Sequence, residues 1–394
     1  MNLAKILFHP ATNLPINPLP NKSFREHLKE LFSRYVDLIE ASTDFSKLSR
    51  LPSSFDVSID HFRTLVNGII ETVNLYYKGN PAAAFEKLAI TLTTSKVAEI
   101  LWKDGTLPAK TNFFRLRRKN GNYPLNKSDL FHIPFEQRGR VRTQRYSIPG
   151  LPSLYLSNCI YVAWEEMLRP DFADIQAVRL QNVRALKFLD LTTDDYNLHS
   201  LEEVMEFSAR DIFRKIFTWP LIAACSFRIS DLEASFKPEY IIPQLLLQWT
   251  AKMDLDGIKY SSTHIQKHER QHTGSLYNMV LPVRTFDLDR GYCPKLCKLF
   301  NCTQVLPMQL HQFATTTGAF YGQETISSKV NKDIYSLELI HGKEEPYWHT
   351  SFGRLEYALQ DLPLEGILER KRTQGELKIQ QKNVITIPKG SLDY

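Results

Sequence analysis

The chain has no run of the roughly 20 consecutive apolar residues that a membrane-spanning helix needs, although 43% of its 394 residues are hydrophobic. Its N-terminus, MNLAKILFHPATNLP, carries an apolar run too short for a signal peptide, with no small-residue cleavage site after it. A cytoplasmic protein without membrane contact is therefore expected. Cysteine is scarce and odd in number: Cys159, Cys225, Cys293, Cys297 and Cys302. That count and scatter argue against a disulfide framework. Cys293, Cys297, Cys302 and His311 lack the tight paired spacing usual at zinc sites, so no metal is expected and the thiols read as free and reduced. Internal repeats and low-complexity tracts are missing too, which removes the solenoid architectures.

What is present is enough apolar material for a large core and two or three folded units. Residues 1–22, with Pro10, Pro15, Pro18 and Pro20, read as an extended lead-in. Ser23 and Glu26 then form a capping-box pattern ahead of Phe24, Leu28, Leu31, Phe32, Tyr35, Leu38 and Ile39 on one helical face. A second stripe runs from Ile59 to Tyr76 and stops at Lys78-Gly79. Asn80 caps a third helix with Pro81 at its first position, reaching about Trp102. Three such helices predict an α-helical bundle. A helical RNase of the HEPN type would carry an Arg and a His a few residues apart on one helix. Arg63 has no such His after it and His27 sits too close to Arg25, so the bundle reads as scaffold, oligomerisation surface or lid.

The densest chemistry lies between Arg138 and Met167, RGRVRTQRYSIPGLPSLYLSNCIYVAWEEM. Residues 101–150 hold eleven Lys or Arg against three acids, a local charge of +8 where the whole chain carries +6. Positive charge concentrated in this way suits a phosphate-bearing ligand, and equally suits a solvated basic face. Upstream, NFFRLRRK (residues 112–119) alternates, with Phe114 and Leu116 on one side and Arg115 and Arg117 on the other; taken alone it reads as an edge strand protected by its charges. Ser153–Ser157 reads as a strand. Ser157 or Asn158 then caps a helix that stops before Pro170. Glu165 and Glu166 are neighbours on that helix and point about 100° apart, so one of them can face inward. Further strands are expected at Ile175–Leu180, Leu186–Leu191, Ile258–Thr263 and Ser275–Val283, helices from Ser200 and across Pro238–Met253, and a contribution to the core from the apolar segment Ile216–Ile229. Beyond Arg290 the pattern weakens to possible strands at Ser336–Ile340 and Val384–Ile387 and a helix at Phe352–Leu362.

Three of these segments together resemble the RES-domain family: Phe113-Phe114-Arg115; Gln144-Arg145-Tyr146-Ser147 leading through Gly150–Leu156 to Ala163-Trp164-Glu165-Glu166; and Asp256–Ser262. The likeness covers about residues 109–290. It implies an α+β fold, with an ADP-ribosyltransferase-like split β-sheet domain preceded by the helical bundle. The corresponding division is residues 1–108, 109–290 and a C-terminal extension, 291–394. It implies a toxin that consumes NAD as its substrate. Glu166, Arg115 and Ser262 would be catalytic, and Arg115, Arg145, Tyr146, Tyr155 and Ser262 would bind the dinucleotide. The chain reads Thr-Gln-Arg-Tyr-Ser where many small members read Gly-Gly-Arg-Trp-Asn, and it is far longer than they are. The implied partners are NAD, phosphate as a possible acceptor, and an antitoxin or regulatory protein.

The residue types suit that chemistry. Cleaving the nicotinamide glycosidic bond builds positive charge on the ribose, which a carboxylate stabilises. A pyrophosphate calls for planar two-pronged donors, which arginine supplies better than lysine. Two rival functions remain open on sequence grounds. ADP-ribose could be transferred to a macromolecule, or a non-catalytic module could bind a nucleotide or nucleic acid through the basic region.

Overall fold

In a computed structural model of the chain, Ser23 accepts the Glu26 amide while the Glu26 carboxylate takes the Ser23 amide at 3.0 Å, opening helix α1 (Phe24–Glu40). Ser58 opens α2 (Ile59–Tyr77) through the same device, with His61 in the place of the usual acid. Asn80 and Pro81 open α3 (Pro81–Thr94). Gly79, at φ 75°, turns the chain between the last two, a backbone geometry that costs glycine little. The structure describes residues 3–42, 58–102, 105–118, 123–196, 207–265, 275–285, 287–309 and 334–368. The helix expected from Ser200, the strand expected at Val384–Ile387 and His311 lie outside them.

The lead-in is not all extended. Leu3–Leu7 is helical, and Ile6 and Leu7 are buried, because the prolines that break helices begin only at Pro10.

A mixed sheet follows, built from β1 (Thr106–Leu107), β2 (Asn112–Arg118), β3 (Ser153–Ser157), β4 (Ile175–Asn182), β5 (Leu186–Leu191), β6 (Gly257–Tyr260), β7 (Asn278–Pro282) and β8 (Phe300–Cys302). The spatial order is β1-β5-β6-β7-β3-β2-β4-β8, with the short strand Glu365–Gly366 beyond β8 and Leu306–Pro307 also paired to β4. Of these neighbours only β5 and β6 run parallel. Helix α4 (Ile160–Glu166) follows β3, while α5 (Ala209–Cys225) and α6 (Ile241–Lys252) lie between β5 and β6. The fold is thus α+β.

Strand β2 is interior, where its charges alone suggest an edge. It pairs with β4 from Asn112↔Gln181 to Arg118↔Ile175, but meets β3 at a single pair, Phe114↔Ser157. The two strands part from there, and the parting gives the arginines of β2 somewhere to go. Arg115 donates to the Tyr155 carbonyl at 2.8 Å, so a side chain takes a backbone acceptor at the split.

One hydrophobic cluster runs from Ile6 through the faces of α1 and α2, α5 and α6 to Tyr260 and Val280 in the sheet. Tyr35 donates to the Ile216 carbonyl at 2.8 Å and Trp219 to the Thr12 carbonyl at 2.9 Å, so buried polar groups of the helical region and of α5 satisfy one another. The core therefore crosses the boundary at residue 108. The C-terminal region adds a hairpin, β10 to β11 by continued numbering (Ser336–Ile340 and Lys343–Pro346; β9 is Leu306–Pro307), and α7 (Ser351–Gln360). Glu356 of α7 is fully buried, where it accepts the Ile160 amide at 2.7 Å and the Tyr347 hydroxyl. A buried carboxylate thus satisfies the first amide of α4, and residues 334–368 hold in place the helix that carries Glu166.

Candidate active site

A cavity of about 700 Å³ opens where β2 and β3 part, within the range of roughly 300–1,000 Å³ usual for small-molecule sites. Phe114, Leu116 and Ala163 bound it on the side of the α7 core, and Tyr155 and Tyr260 on the side of the helical core. Arg115, Arg145 and Glu166 line it together. Three segments distant in sequence therefore meet at one hollow.

Helix α4 separates its two acids as their 100° offset requires. Glu165 is buried and paired with Arg169 at 2.9 Å, while Glu166, the last helical residue, stands in the cavity wall. The sulfur of Cys159, not Ser157 or Asn158, caps the helix by receiving the Val162 amide. Beyond the helix Leu168 and Arg169 adopt left-handed backbone, φ 60° and 53°, a costly pair for non-glycine residues. The Trp164 indole holds that turn by donating to the Pro170 carbonyl at 2.8 Å. Asn278 at the start of β7 donates to Glu166 Oε1 at 2.9 Å.

The two arginines differ in their support. Arg145 is buried, donating to the Cys225 carbonyl and the Thr263 hydroxyl, each at 3.1 Å, with its guanidinium 5.1 Å above the Tyr240 ring. Arg115 is half-buried; burial first and its neighbour Arg117 second bring its pKa down to about 10. It remains a cation at neutral pH. Among the described residues neither guanidinium has a carboxylate partner, and Glu166 is the one acid lining the cavity.

Tyr155 lines the cavity, its hydroxyl donating to the Tyr146 carbonyl and its own carbonyl held by Arg115. Burial raises the pKa of its phenol, so it stays protonated. Tyr146 and Ser262 stand one layer back. Tyr146 is buried against Tyr260, ring centroids 4.6 Å apart. Ser262 is 1% exposed and accepts the His264 amide at 3.2 Å. Each is next to a residue that lines the cavity, Arg145 in the turn before Tyr146 and Thr263 in the bend after Ser262.

Residues that sequence reading did not pick out complete the wall: Asn278, Thr263, Tyr240, Tyr260, His264 and Lys237. Burial lowers the His264 pKa and the nearby Glu166 partly restores it, leaving a neutral imidazole at pH 7. The run Tyr260–His264, with an aromatic, three hydroxyls and an imidazole at a strand end, was the signal available for that side of the wall.

Among the described residues no group of three or more His, Cys, Asp or Glu is placed to hold a metal ion, and no helix is long and apolar enough to cross a membrane. Cys293 and Cys302 are buried and Cys297 partly so, all as free thiols.

No family model and no solved structure matches the chain. A protein of Bacillus subtilis (strain 168) named "Putative toxin YopC" is 32% identical over 320 residues, an alignment covering 76% of this chain and 69% of that protein.

Proposed function

The chain belongs to the family of YopC, and from that premise we propose that it is a toxin of RES type that cleaves the nicotinamide–ribose bond of NAD, with water or phosphate accepting the ADP-ribose. The observation that carries this reading is the pair of guanidiniums held by protein hydrogen bonds, Arg115 and Arg145, without acidic partners among the described residues, lining the same cavity as a single carboxylate; the exposed Arg142 and the half-buried Lys237 add positive charge at its wall. Two fixed cations match the two negative charges of a pyrophosphate, and the carboxylate matches the positive charge that grows on the ribose as the bond breaks.

The number of acids fits as well. Ordinary glycosidases need two carboxyl groups because the departing alcohol must be protonated. Nicotinamide leaves by taking the bonding electron pair onto its ring nitrogen and departs neutral, so no proton need be delivered to it. Glu166 alone can then serve, holding the ribose while charge develops. A phosphate ion arrives already nucleophilic and needs no base, whereas water must lose a proton after it attacks. The rings of Tyr155, Tyr240 and Tyr260 provide aromatic wall for the flat nicotinamide.

Incubating the purified full chain with NAD, with and without inorganic phosphate, and separating the products by chromatography tests this. Free nicotinamide should appear with ADP-ribose or its 1-phosphate, and Glu166→Ala should slow release by about 100-fold or more. Intact NAD under both conditions, or equal release by Glu166→Ala, would sink the reading. Label from adenylate-labelled NAD appearing on protein or nucleic acid would instead make the chain an ADP-ribosyltransferase.

A further inference from the structure

We propose that Asn278 is a positioning residue for Glu166, itself held in one orientation by Ser157; this deepens, and rests on, the assignment of Glu166 to the reacting centre. Ser157 ends β3 and Asn278 begins β7, and the two are directly paired in the sheet. Both line the cavity yet are buried, 5% and 2% exposed. The Ser157 hydroxyl donates to Asn278 Oδ1 at 2.6 Å, and Asn278 Nδ2 donates to Glu166 Oε1 at 2.9 Å.

The direction of this relay follows from its last member. A carboxylate can only accept, so the amide must turn its nitrogen toward Glu166; its oxygen then faces Ser157, whose rotatable hydroxyl supplies the proton. The relay fixes one carboxylate oxygen. Oε2 has no protein partner among the described residues and is left for the ribose. The other ionisable groups facing Glu166 are Tyr155 on β3, Tyr260 on β6, Tyr240 ahead of α6 and His264 after β6, with Arg115 and Arg145 lining the same cavity. Of the described groups around Glu166, Asn278 is the one that hydrogen-bonds to it.

Asn278→Asp keeps the shape and replaces the donor with a second acceptor. Two carboxyl groups at hydrogen-bond distance share a proton, so the upper apparent pKa of the pair should rise by about one unit or more. The acid limb of kcat for nicotinamide release should move up with it, a loss of about tenfold at a pH on that limb, while KM for NAD holds. The Glu166 carboxyl is read separately by carbon-13 NMR of glutamate-labelled protein, its signal assigned by its disappearance in Glu166→Gln. A folded Asn278→Asp whose carboxyl titration and acid limb both stay in place overturns the proposal. If the carboxyl titration moves but the unsubstituted chain releases no nicotinamide, the positioning role stands and the NAD reading fails. Should Asn278→Asp not fold, Ser157→Ala decides: freeing the amide should lower kcat several-fold with KM retained, measured at a temperature where the variant is fully folded, and unchanged kcat overturns the proposal.

Discussion

Arg115 is held at a cost that its removal should reveal. Ordinary arginine keeps its proton to beyond pH 12, but burial and the adjacent Arg117 bring Arg115 down to about 10, a penalty of about 3 kcal/mol against the folded cation. Water in the open cavity screens part of this and leaves about 1–2 kcal/mol. Arg115→Gln removes the charge; its amide nitrogen stops two bonds short of the one that donates to the Tyr155 carbonyl at 2.8 Å, an acceptor that water in the open cavity then satisfies. The variant should therefore melt about 1–4 °C higher than the unsubstituted chain while its nicotinamide release falls by about 100-fold or more. Pyrophosphate and NAD should close the gap, since a ligand at 100 times its Kd adds about 2.7 kcal/mol, and adds less where one of its two cations is missing. Differential scanning fluorimetry with and without pyrophosphate, run beside the release assay, reads all three quantities. A lower melting temperature for Arg115→Gln, or an equal shift of both proteins by pyrophosphate, would refute the view that Arg115 is a cation stored for an anion.

The other expectations concern separate parts of the site and its support. Arg145→Lys cannot reach both the Cys225 carbonyl and the Thr263 hydroxyl, so it should lose about 1–3 kcal/mol of stability and raise KM for NAD; unchanged melting and KM would show that the fork is idle. Glu165→Gln, breaking the buried end of the 2.9 Å pair with Arg169, should lower the melting temperature and leave kcat within a few-fold, whereas Glu166→Gln should do the reverse; the opposite pattern would exchange the two acids' roles. His132 donates from Nδ1 to the Ile133 carbonyl and receives the Cys293 amide at Nε2, each at 2.8 Å, and burial holds its pKa at about 4. The unfolded chain binds this proton near pH 6.5 and the folded chain does not, so stability rises with pH across that window and falls by about 2 kcal/mol from pH 6.5 to 5. Denaturant unfolding should show that slope in the unsubstituted chain and its absence in His132→Gln; parallel slopes would assign the acid sensitivity elsewhere.

Local signals were legible where one residue determines one local geometry. The capping box at Ser23 and Glu26, the Asn80-Pro81 start and the Gly79 turn all form as their chemistry dictates. The box at Ser58 was not read because His61 stands where an acid is expected, although its Nδ1 takes the Ser58 amide just as well. Non-local facts were harder. β2 looks like an edge because its arginines have no visible reason to be interior, and that reason, the departure of β3 after Phe114↔Ser157, is a property of two strands. For the site, the segments carrying Arg115, Arg145 and Glu166 could be named from a family likeness. Tyr146 and Ser262 stand behind the wall, beside Arg145 and Thr263 that line it, because which residue of a turn or bend faces a cavity is set by the packing around it and not by residue type. Asn278 was invisible, since an asparagine at a strand start means nothing until β7 sets it opposite Ser157 and below Glu166.

The cluster running from Ile6 to Val280 bears on how such a protein can be disarmed by mutation. Tyr260, a wall of the cavity, belongs to the same packed unit as Phe32 and Trp219. Truncating either of those large, fully buried side chains to alanine costs about 3–5 kcal/mol, a large share of what a folded chain has to lose. On the proposed toxin reading, cells selected to survive production of this chain should carry lesions scattered through the helices of that core as readily as through the cleft, and a map of such escapees would outline the core before it outlined the chemistry.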